Sequence, residues 1–319
     1  MSPSQSVSCR PRYVYPVLDA RRDFGLFRVA GAGIGNSLIA YFHALAHARE
    51  TGATLIAPAW VSLKLGPLLR GERSKRFYIG LFRPGPGELA GLRKLAALAG
   101  SLFGVLGARW RTVPIAAPAT ARTNGRLTLV ACRDYRFGPL KPWRADIRRR
   151  LLEIAAAPLP ARGLGDGFGR GVYIAAHVRL GDFATATPAD LRSGTTNNLR
   201  IPLDWYEAVL RRLRAEFPEL PIHVLSDGTE RELAQVLAVP GVRIRREDND
   251  LAELLALAGA RVLVGSQSTF SRWAAFLGNM PSIWLETDGA GERFAEDHVP
   301  LLRVGADVSA ITRAALAPA

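Results

Sequence analysis

The chain has 319 residues, of which 48% are hydrophobic and 22% charged, and its formal net charge is +14. This composition excludes a disordered or fibrous protein and fits two globular domains, and the positive charge favours anionic partners. Cys9 and Cys132 form no disulfide framework, the longest apolar stretch (95–108) is too short to span a bilayer, and no signal-peptide core is visible. We therefore predict a cytoplasmic protein.

The first predicted elements form a strand–helix–strand unit. Residues 1–20 hold three prolines and little periodicity, so we expect a tail or an edge there. A strand over 27–30 runs into the loop Gly31-Ala-Gly-Ile-Gly-Asn36, a helix follows over 37–51, and a second strand follows over 53–58.

The middle of the chain is less regular. Residues 60–125 match no pattern that we can place, although Leu127–Cys132 is predicted to be a strand and 145–156 an Arg-rich helix. Residues 157–171 hold two prolines and five glycines, which is typical of a linker. We place the domain boundary there, with one domain over 1–160 and a second over 161–319.

The second half alternates regularly between short apolar strands and amphipathic helices. The predicted strands are 172–178, 222–226, 242–244, 262–265 and 282–285, and the predicted helices are 204–216, 230–237, 250–260 and 269–277. This alternation is typical of a parallel, doubly wound sheet. We predict an α/β fold of two Rossmann-like domains that face a cleft, an architecture called GT-B-like.

Two segments at predicted strand ends carry the strongest chemical signals. In His177-Val-Arg-Leu-Gly-Asp182, the fork of Arg179 suits diphosphate oxygens and Gly181 lets the backbone turn close to a ligand. Gly265-Ser-Gln-Ser-Thr-Phe270 opens a helix, whose free N–H groups and hydroxyls favour an anion. A surface arginine with a turn aspartate, and plain helix capping, are the competing interpretations.

Weaker signals come from two other loops. The glycine loop resembles a dinucleotide fingerprint but has the spacing G-x-G-x-G-N and no acidic residue after the next strand, so a tight turn is the alternative. Ser226-Asp227-Gly228 ends another strand and is equally consistent with a turn.

Metal binding is the less favoured interpretation of the acidic and histidine residues. Asp248-Asn-Asp250 has the spacing of a D-x-D cation site, but it also opens a helix, and capping explains it more simply. His43 and His47 share a helix face without a third ligand nearby. We predict no metal and no cofactor.

In their order along the chain, these segments resemble the alpha-1,2-fucosyltransferase family and, more distantly, the fucosyltransferase superfamily that includes the protein O-fucosyltransferases. Gly33 to Ala46 is similar to the family's G-L-G-N-Q-x-F-Q-Y-A helix, and His177 to Phe183 to its H-x-R-x-G-D-[YF] signature. The stretch 201–228 resembles the L-P-x-x-Y-Y helix and S-D strand, and 253–277 resembles D-L-x-L-M-S…N-S-S-F-S-W-W-A-A-W-L.

The resemblance implies an inverting, metal-independent transfer of L-fucose from GDP-fucose to a glycan hydroxyl in polysaccharide or glycan synthesis. It implies that Arg179 holds the diphosphate, that 1–160 is the acceptor-side domain and that 161–319 is the nucleotide-sugar domain, whose tail packs back on the first. We predict Asp182 as the leading candidate for a general base, with the fixing of Arg179 or of the loop as the alternative. The implied donor-binding residues are Gly33, Gly35, Asn36, His177, Arg179, Gly181, Ser226, Asp227, Glu253, Ser266, Gln267, Ser268, Thr269 and Phe270. Ser37, Glu253, Gln267 and Arg272 depart from the family pattern, so a relative that uses another sugar nucleotide stays an alternative.

Basic residues over 64–94, followed by the apolar 95–108, suggest a peripheral membrane contact through 64–111 and a lipid-linked acceptor; an ordinary helix with a basic solvated side is the alternative. A second alternative is that the chain binds a sugar nucleotide or a glycan without catalysing a reaction. Nucleic-acid binding would explain the net charge, but the aromatic interleaving of a single-strand binder is missing, so no nucleic-acid partner is expected.

Overall fold

The computed structural model describes residues 12–18, 23–29, 31, 33–63, 69, 76–103, 111–114, 119–132, 137–159, 168–169, 171–185, 187 and 199–285. The described chain divides into two compact units. The first contains the described residues up to Leu63, those from Phe77 to 132, and Pro139–Ile154; the second contains Leu69, Arg76, 137–138 and the described residues from Ala155 onward. The predicted boundary at 160 and the tail 286–319 lie outside the described residues.

The first unit contains seven described strands and three described α-helices. The strands are β1 (Tyr13–Pro16), β2 (Arg28–Val29), β3 (Thr54–Leu55), β4 (Ser62–Leu63), β5 (Arg111–Pro114), β6 (Ala119–Thr123) and β7 (Leu127–Cys132). The helices are α1 (Ile34–Thr51), α2 (Gly91–Phe103) and α3 (Arg144–Ile154). A 3-10 helix at Gly138–Trp143 precedes α3, and its first residue is assigned to the second unit. The main sheet has the order β3-β1-β7-β6-β5.

This main sheet is mixed. Strand β1 pairs in parallel with β3 and β7, whereas β6 is antiparallel to both β5 and β7. The prediction of a tail or edge over 1–20 is therefore wrong at Tyr13–Pro16, which lies inside the sheet. The prolines of this segment led to the wrong prediction. Pro16 is the last residue of the strand, so its missing N–H removes no hydrogen bond from the interior of the strand.

The strand predicted over 27–30 has a different place from the one expected. Only Arg28–Val29 is extended, and it pairs in parallel with Ser62–Leu63 in a separate two-stranded sheet. The strand that precedes α1 in the main sheet is β1 instead. The helix prediction is confirmed and extended at its start, since α1 begins at Ile34.

The second unit has a fully parallel five-stranded sheet. Its elements are β8 (Ile174–Val178), β9 (Ala184–Thr185), β10 (Leu199–Arg200), α4 (Leu203–Glu216), β11 (Ile222–Ser226), α5 (Ala234–Leu237), β12 (Val242–Ile244), α6 (Asp250–Ala258), β13 (Val262–Val264), α7 (Thr269–Gly278) and β14 (Ser282–Ile283). The sheet order is β12-β11-β8-β13-β14, and β9 pairs with β10 separately. The predicted α/β fold is confirmed; the cleft between the units stays a prediction.

The core of the second unit explains its regularity. All five residues of β8 are buried, as expected for a parallel strand covered by helices on both sides. Trp273 and Phe276 are buried, as predicted, and both rings pack on Phe137. None of the described helices of either unit is both long enough and apolar enough to cross a membrane.

Candidate functional site

The predicted site of the second unit lies at the carboxyl ends of its parallel strands. After β8 the chain moves to β11 and β12 on one side, and it then crosses to β13 and β14 on the other. The strand order therefore reverses between β8 and β13, which is where doubly wound sheets bind ligands. Three loops meet at this edge, because the strands that precede them are neighbours: 179–183, 227–229 and 265–268.

Four charged side chains form a cluster at this edge. Arg179 donates to Asp182 through Nη2, and its Nη1 lies 2.5 Å from Oδ2 of Asp227. Arg76 donates to Oδ2 of Asp182 at 3.1 Å, and its Nη2 lies 3.7 Å from Oδ2 of Asp227. The charges of the two arginines are balanced by the two carboxylates. We call these residues the charge cluster.

The charge cluster is accessible from solvent without being fully exposed. The side chain of Arg179 is 17% exposed and that of Arg76 is 12% exposed. The guanidinium of Arg179 also lies over the ring of Phe183, 5.3 Å from its centroid. The two terminal nitrogens of Arg179 thus contact oxygens of two separate carboxylates, and the same fork can span oxygens of the two phosphates of a diphosphate.

The loop that carries Arg179 is held from two sides. Asp227 accepts a hydrogen bond from the Leu180 N–H at 2.8 Å, and a Cβ at Gly181 would collide with its other carboxylate oxygen. Arg200 donates through Nε to the carbonyls of Leu180 (2.9 Å) and Phe183 (2.8 Å). Gly181 is therefore required for the close approach of Asp227, and the loop is fixed before any ligand binds.

His177 lies beneath the charge cluster, inside a group of hydroxyls. Its Nδ1 lies 2.6 Å from Oγ of Ser271 and 3.1 Å from Oγ of Ser266. Burial, and next the charge of Arg179, lower the pKa of His177 far below its usual range. The imidazole is therefore neutral at physiological pH, and it positions the serine loop rather than contributing charge.

The serine loop opens α7. Ser268 is its N-cap and accepts a hydrogen bond from the Ser271 N–H at 3.2 Å, while its Oγ lies 2.9 Å from Oγ of Ser266. The ring of Phe270 lies 5.2 Å from that of His177. The predicted helix N-terminus thus adjoins the predicted strand end, and the helix dipole adds positive potential there.

The electrostatics of Asp182 bear on its predicted role as a base. Burial acts to raise its pKa, but Arg179 and then Arg76 outweigh burial, and the pKa of Asp182 falls to about 2. A carboxylate with so low a pKa accepts a proton weakly at neutral pH. The geometry therefore favours the other predicted role of Asp182, which is to fix Arg179.

The predicted residues Gly33, Gly35 and Asn36 belong to the first unit. Gly33 is the N-cap of α1, and a Cβ there would meet no described residue within 4 Å. The Ile34 N–H donates to the Tyr78 hydroxyl at 3.0 Å. Oδ1 of Asn36 is buried, and no hydrogen-bond donor pairs with it in the described part of the chain.

The other predicted residues have mixed outcomes. Ser226 ends β11 and accepts a hydrogen bond from the Gly228 N–H at 3.0 Å, beside Asp227. Gln267 and Thr269 lie half-buried at the start of α7, and Glu253 lies in the first turn of α6; none of them takes part in the contacts given above. Sequence analysis missed Arg76, Arg200 and Ser271.

The segment Asp248-Asn-Asp250 caps a helix. Asn249 is the N-cap of α6, and its Oδ1 accepts a hydrogen bond from the Ala252 N–H at 2.9 Å. Asp250 lies in the first turn, where a carboxylate complements the helix dipole. Among the described residues, no three His, Cys, Asp or Glu side chains are grouped so as to hold a metal ion.

Comparison with known proteins gives structural likenesses only. No protein-family model and no curated protein matches the chain. Among solved structures, it is similar to the fucosyltransferase NodZ from Bradyrhizobium, at 16% identity and a TM-score of 0.43, over 84% of this chain and 93% of that one. It is also similar to POFUT1 in complex with GDP, at 12% identity and a TM-score of 0.42, over 86% of this chain and 98% of that one. Likenesses at this level assign no donor, acceptor or linkage to this chain.

Proposed function

We propose that the second unit binds the diphosphate of a sugar nucleotide at the charge cluster, and that the chain is an inverting glycosyltransferase of the fucosyltransferase type. The observation that carries the proposal is the placement of Arg179. It lies at the switch point of a doubly wound sheet, its two terminal nitrogens contact two carboxylates, and His177, two residues before it, contacts the loop that opens α7.

The charge cluster supplies the electrostatics that such a transfer needs. As the bond between the sugar and the nucleotide breaks, negative charge grows on the diphosphate. Arg179, Arg76 and the N-terminus of α7 stabilise that charge, and groups held in place before the reaction act without reorganising. Removal of one such donor costs about 2.7–4 kcal/mol in rate terms. Asp182 and Asp227 hold the arginines in position until the diphosphate replaces them as the partner.

The acceptor hydroxyl loses its proton late in this mechanism. The sugar passes through an oxocarbenium-like state, in which bond breaking runs ahead of attack. A weak base is then sufficient, which agrees with the low pKa of Asp182, and the proton of the hydroxyl ends on the released diphosphate, which gains negative charge as the bond breaks. We propose that Asp182 acts chiefly by orienting Arg179, with a glycan hydroxyl as the acceptor.

The proposal that the donor is GDP-fucose rests on the motif resemblance. The same resemblance supports a narrower proposal, which is that the enzyme forms an alpha-1,2 linkage. Calorimetric titration with GDP-fucose, GDP-mannose and UDP-glucose, with EDTA present, tests the donor. We expect GDP-fucose to bind most tightly and to be hydrolysed slowly in the absence of acceptor. Tighter binding of UDP-glucose would reject the fucose donor. No binding of any sugar nucleotide by folded protein would reject the function.

A further inference from the structure

The first unit displays large apolar side chains on a turn that is not packed into its core. Phe24 is 62% exposed and Leu26 57%, and Phe27 is also exposed. The rings of Phe24 and Phe27 stack on each other with centroids 5.3 Å apart. Side chains of this size on an exposed turn mark an interaction surface when they lie together.

The apolar surface continues from the turn onto the two-stranded sheet. Val29 and Leu63 are register partners in β2 and β4, and both are exposed, whereas their neighbours Arg28 and Ser62 are fully buried. Since side chains alternate along a strand, Val29 and Leu63 share the outward side of this sheet. We call Phe24, Leu26, Phe27, Val29 and Leu63 the apolar face.

The turn of the apolar face is firmly held. Asp23 accepts hydrogen bonds from the Tyr15 hydroxyl at 2.7 Å and from the Gly25 N–H at 2.9 Å, and the Phe24 N–H donates to the Phe27 carbonyl at 3.0 Å. Gly25 has a φ of 82°, and a Cβ there would meet Leu98 of α2 at 3.1 Å. The backbone is therefore fixed against β1 and α2, so the exposure of the phenylalanines is built into the fold.

Basic residues outnumber acidic ones in the sequence that adjoins the apolar face, where Asp23 of the turn is the acidic residue. The sequence places Arg21 and Arg22 directly before Asp23, and Lys64 directly after Leu63. The segments 24–29, 59–63 and 91–99 contain no Asp or Glu. On α2, which packs beside the turn, Leu92 and Arg93 are exposed.

We infer that the apolar face is a surface that contacts an anionic lipid bilayer. Aromatic and aliphatic side chains enter the boundary between headgroups and acyl chains, and flanking Arg and Lys residues are attracted to anionic headgroups. A protein partner would meet the same apolar side chains, but the excess of basic residues in the adjoining sequence favours an anionic lipid surface. The inference places the membrane contact mainly before residue 64, and it does not depend on the donor.

Vesicle flotation tests the inference on the full chain. We expect binding to vesicles with a large fraction of phosphatidylglycerol at low salt, weaker binding at high salt, and little binding to pure phosphatidylcholine vesicles. The double variant Phe24→Ser/Phe27→Ser should weaken binding at least tenfold, and Leu26→Ser alone at least threefold. The matched control is Val172→Ser, because Val172 is 63% exposed but belongs to the second unit.

Two results would overturn the inference. One is wild-type protein that fails to float with anionic vesicles, or a double variant that floats as well as wild type. The other is a wild-type dimer in sedimentation velocity that the double variant converts to a monomer, which would assign the apolar face to a second copy of the chain. Circular dichroism melts and GDP titration of the variants show whether both units remain folded.

Discussion

Each unit contains a network of charged and polar side chains, and the two networks differ in where they lie. In the second unit, the charge cluster occupies the carboxyl edge of a parallel sheet, partly open to solvent. In the first unit, the Tyr41 hydroxyl donates to Glu88, which also accepts from the Gly85 N–H at 2.9 Å, while the nearly buried Arg150 donates to the Pro86 carbonyl at 3.0 Å. We call the latter group the internal network.

This difference shows that a group of charged side chains does not by itself identify a ligand-binding site. Members of the internal network bond each other and a nearby turn, so they stabilise packing between α1, α3 and the loop 84–88. The arginines of the charge cluster lie at the loops that follow the strands, where a ligand can reach their guanidinium groups. Variants of the internal network should therefore change stability, and variants of the charge cluster should change ligand binding.

The largest expected stability effect is that of Glu88→Ala. It leaves the Tyr41 hydroxyl and the Gly85 N–H without their acceptor, and we expect a loss of about 3 kcal/mol in the free energy of unfolding. Urea unfolding followed by circular dichroism measures it. GDP affinity should change less than twofold; a tenfold loss of GDP affinity would show that the two networks are coupled and would break the comparison.

The pH dependence of stability should reveal the buried His177. Its folded pKa lies below its unfolded value, so the unfolded state binds more protons and stability falls as pH drops below about 6.5. Relative to wild type, His177→Gln should remove a slope that approaches about 1.4 kcal/mol per pH unit between pH 6.5 and 5. Equal slopes in urea unfolding of the two proteins would mean that His177 is not buried neutral.

Arg76→Ala should weaken the binding of GDP, and its effect in free energy should be smaller than that of Glu88→Ala on stability. Because Arg76 shares both carboxylates with Arg179 but lies farther from Asp227, we expect about tenfold weaker GDP binding, which corresponds to about 1.4 kcal/mol. Isothermal titration checks this, with the exposed Arg243→Ala as the control of equal charge. If Arg76→Ala bound GDP as tightly as wild type, Arg76 would only be a structural partner of the aspartates.

Tyr41→Phe should have the smallest effect. It removes one hydrogen bond to Glu88 and leaves the Gly85 bond in place, so we expect a loss of about 1 kcal/mol in unfolding free energy. A double-mutant cycle with Glu88→Ala measures the coupling directly. A coupling near zero would mean that the Tyr41 hydroxyl gains nothing from Glu88.

The second unit could be predicted well from its sequence for a physical reason. Strands buried on both faces form apolar runs, and the mostly buried Ile222–Ser226 has the bounds that the sequence predicts. The edge strand Val242–Ile244 also has the predicted bounds, although the exposed Arg243 interrupts its apolar residues. The first unit lacks this signal. Its strands 111–114 and 119–123 contain arginine and threonine among apolar residues, and their antiparallel pairing gives them an order that no local pattern shows.

The candidate site divides in the same way. Arg179 and Asp182 lie three residues apart at the end of one strand, so a local motif can indicate them. Arg76 reaches Asp182 from 106 positions away, out of a region with no recognisable pattern, and Arg200 reaches Leu180 from 20 positions away. Partners that only folding brings together leave no spacing to find in a single sequence.

Calorimetric titration of GDP into wild type, Arg179→Ala and Arg243→Ala, with EDTA present, tests the central claim most directly. The account predicts that wild type and Arg243→Ala bind GDP alike, and that Arg179→Ala binds about a hundredfold more weakly while its melting temperature is little changed. Equal GDP binding by wild type and Arg179→Ala would contradict the account, because the diphosphate would then lie away from the charge cluster.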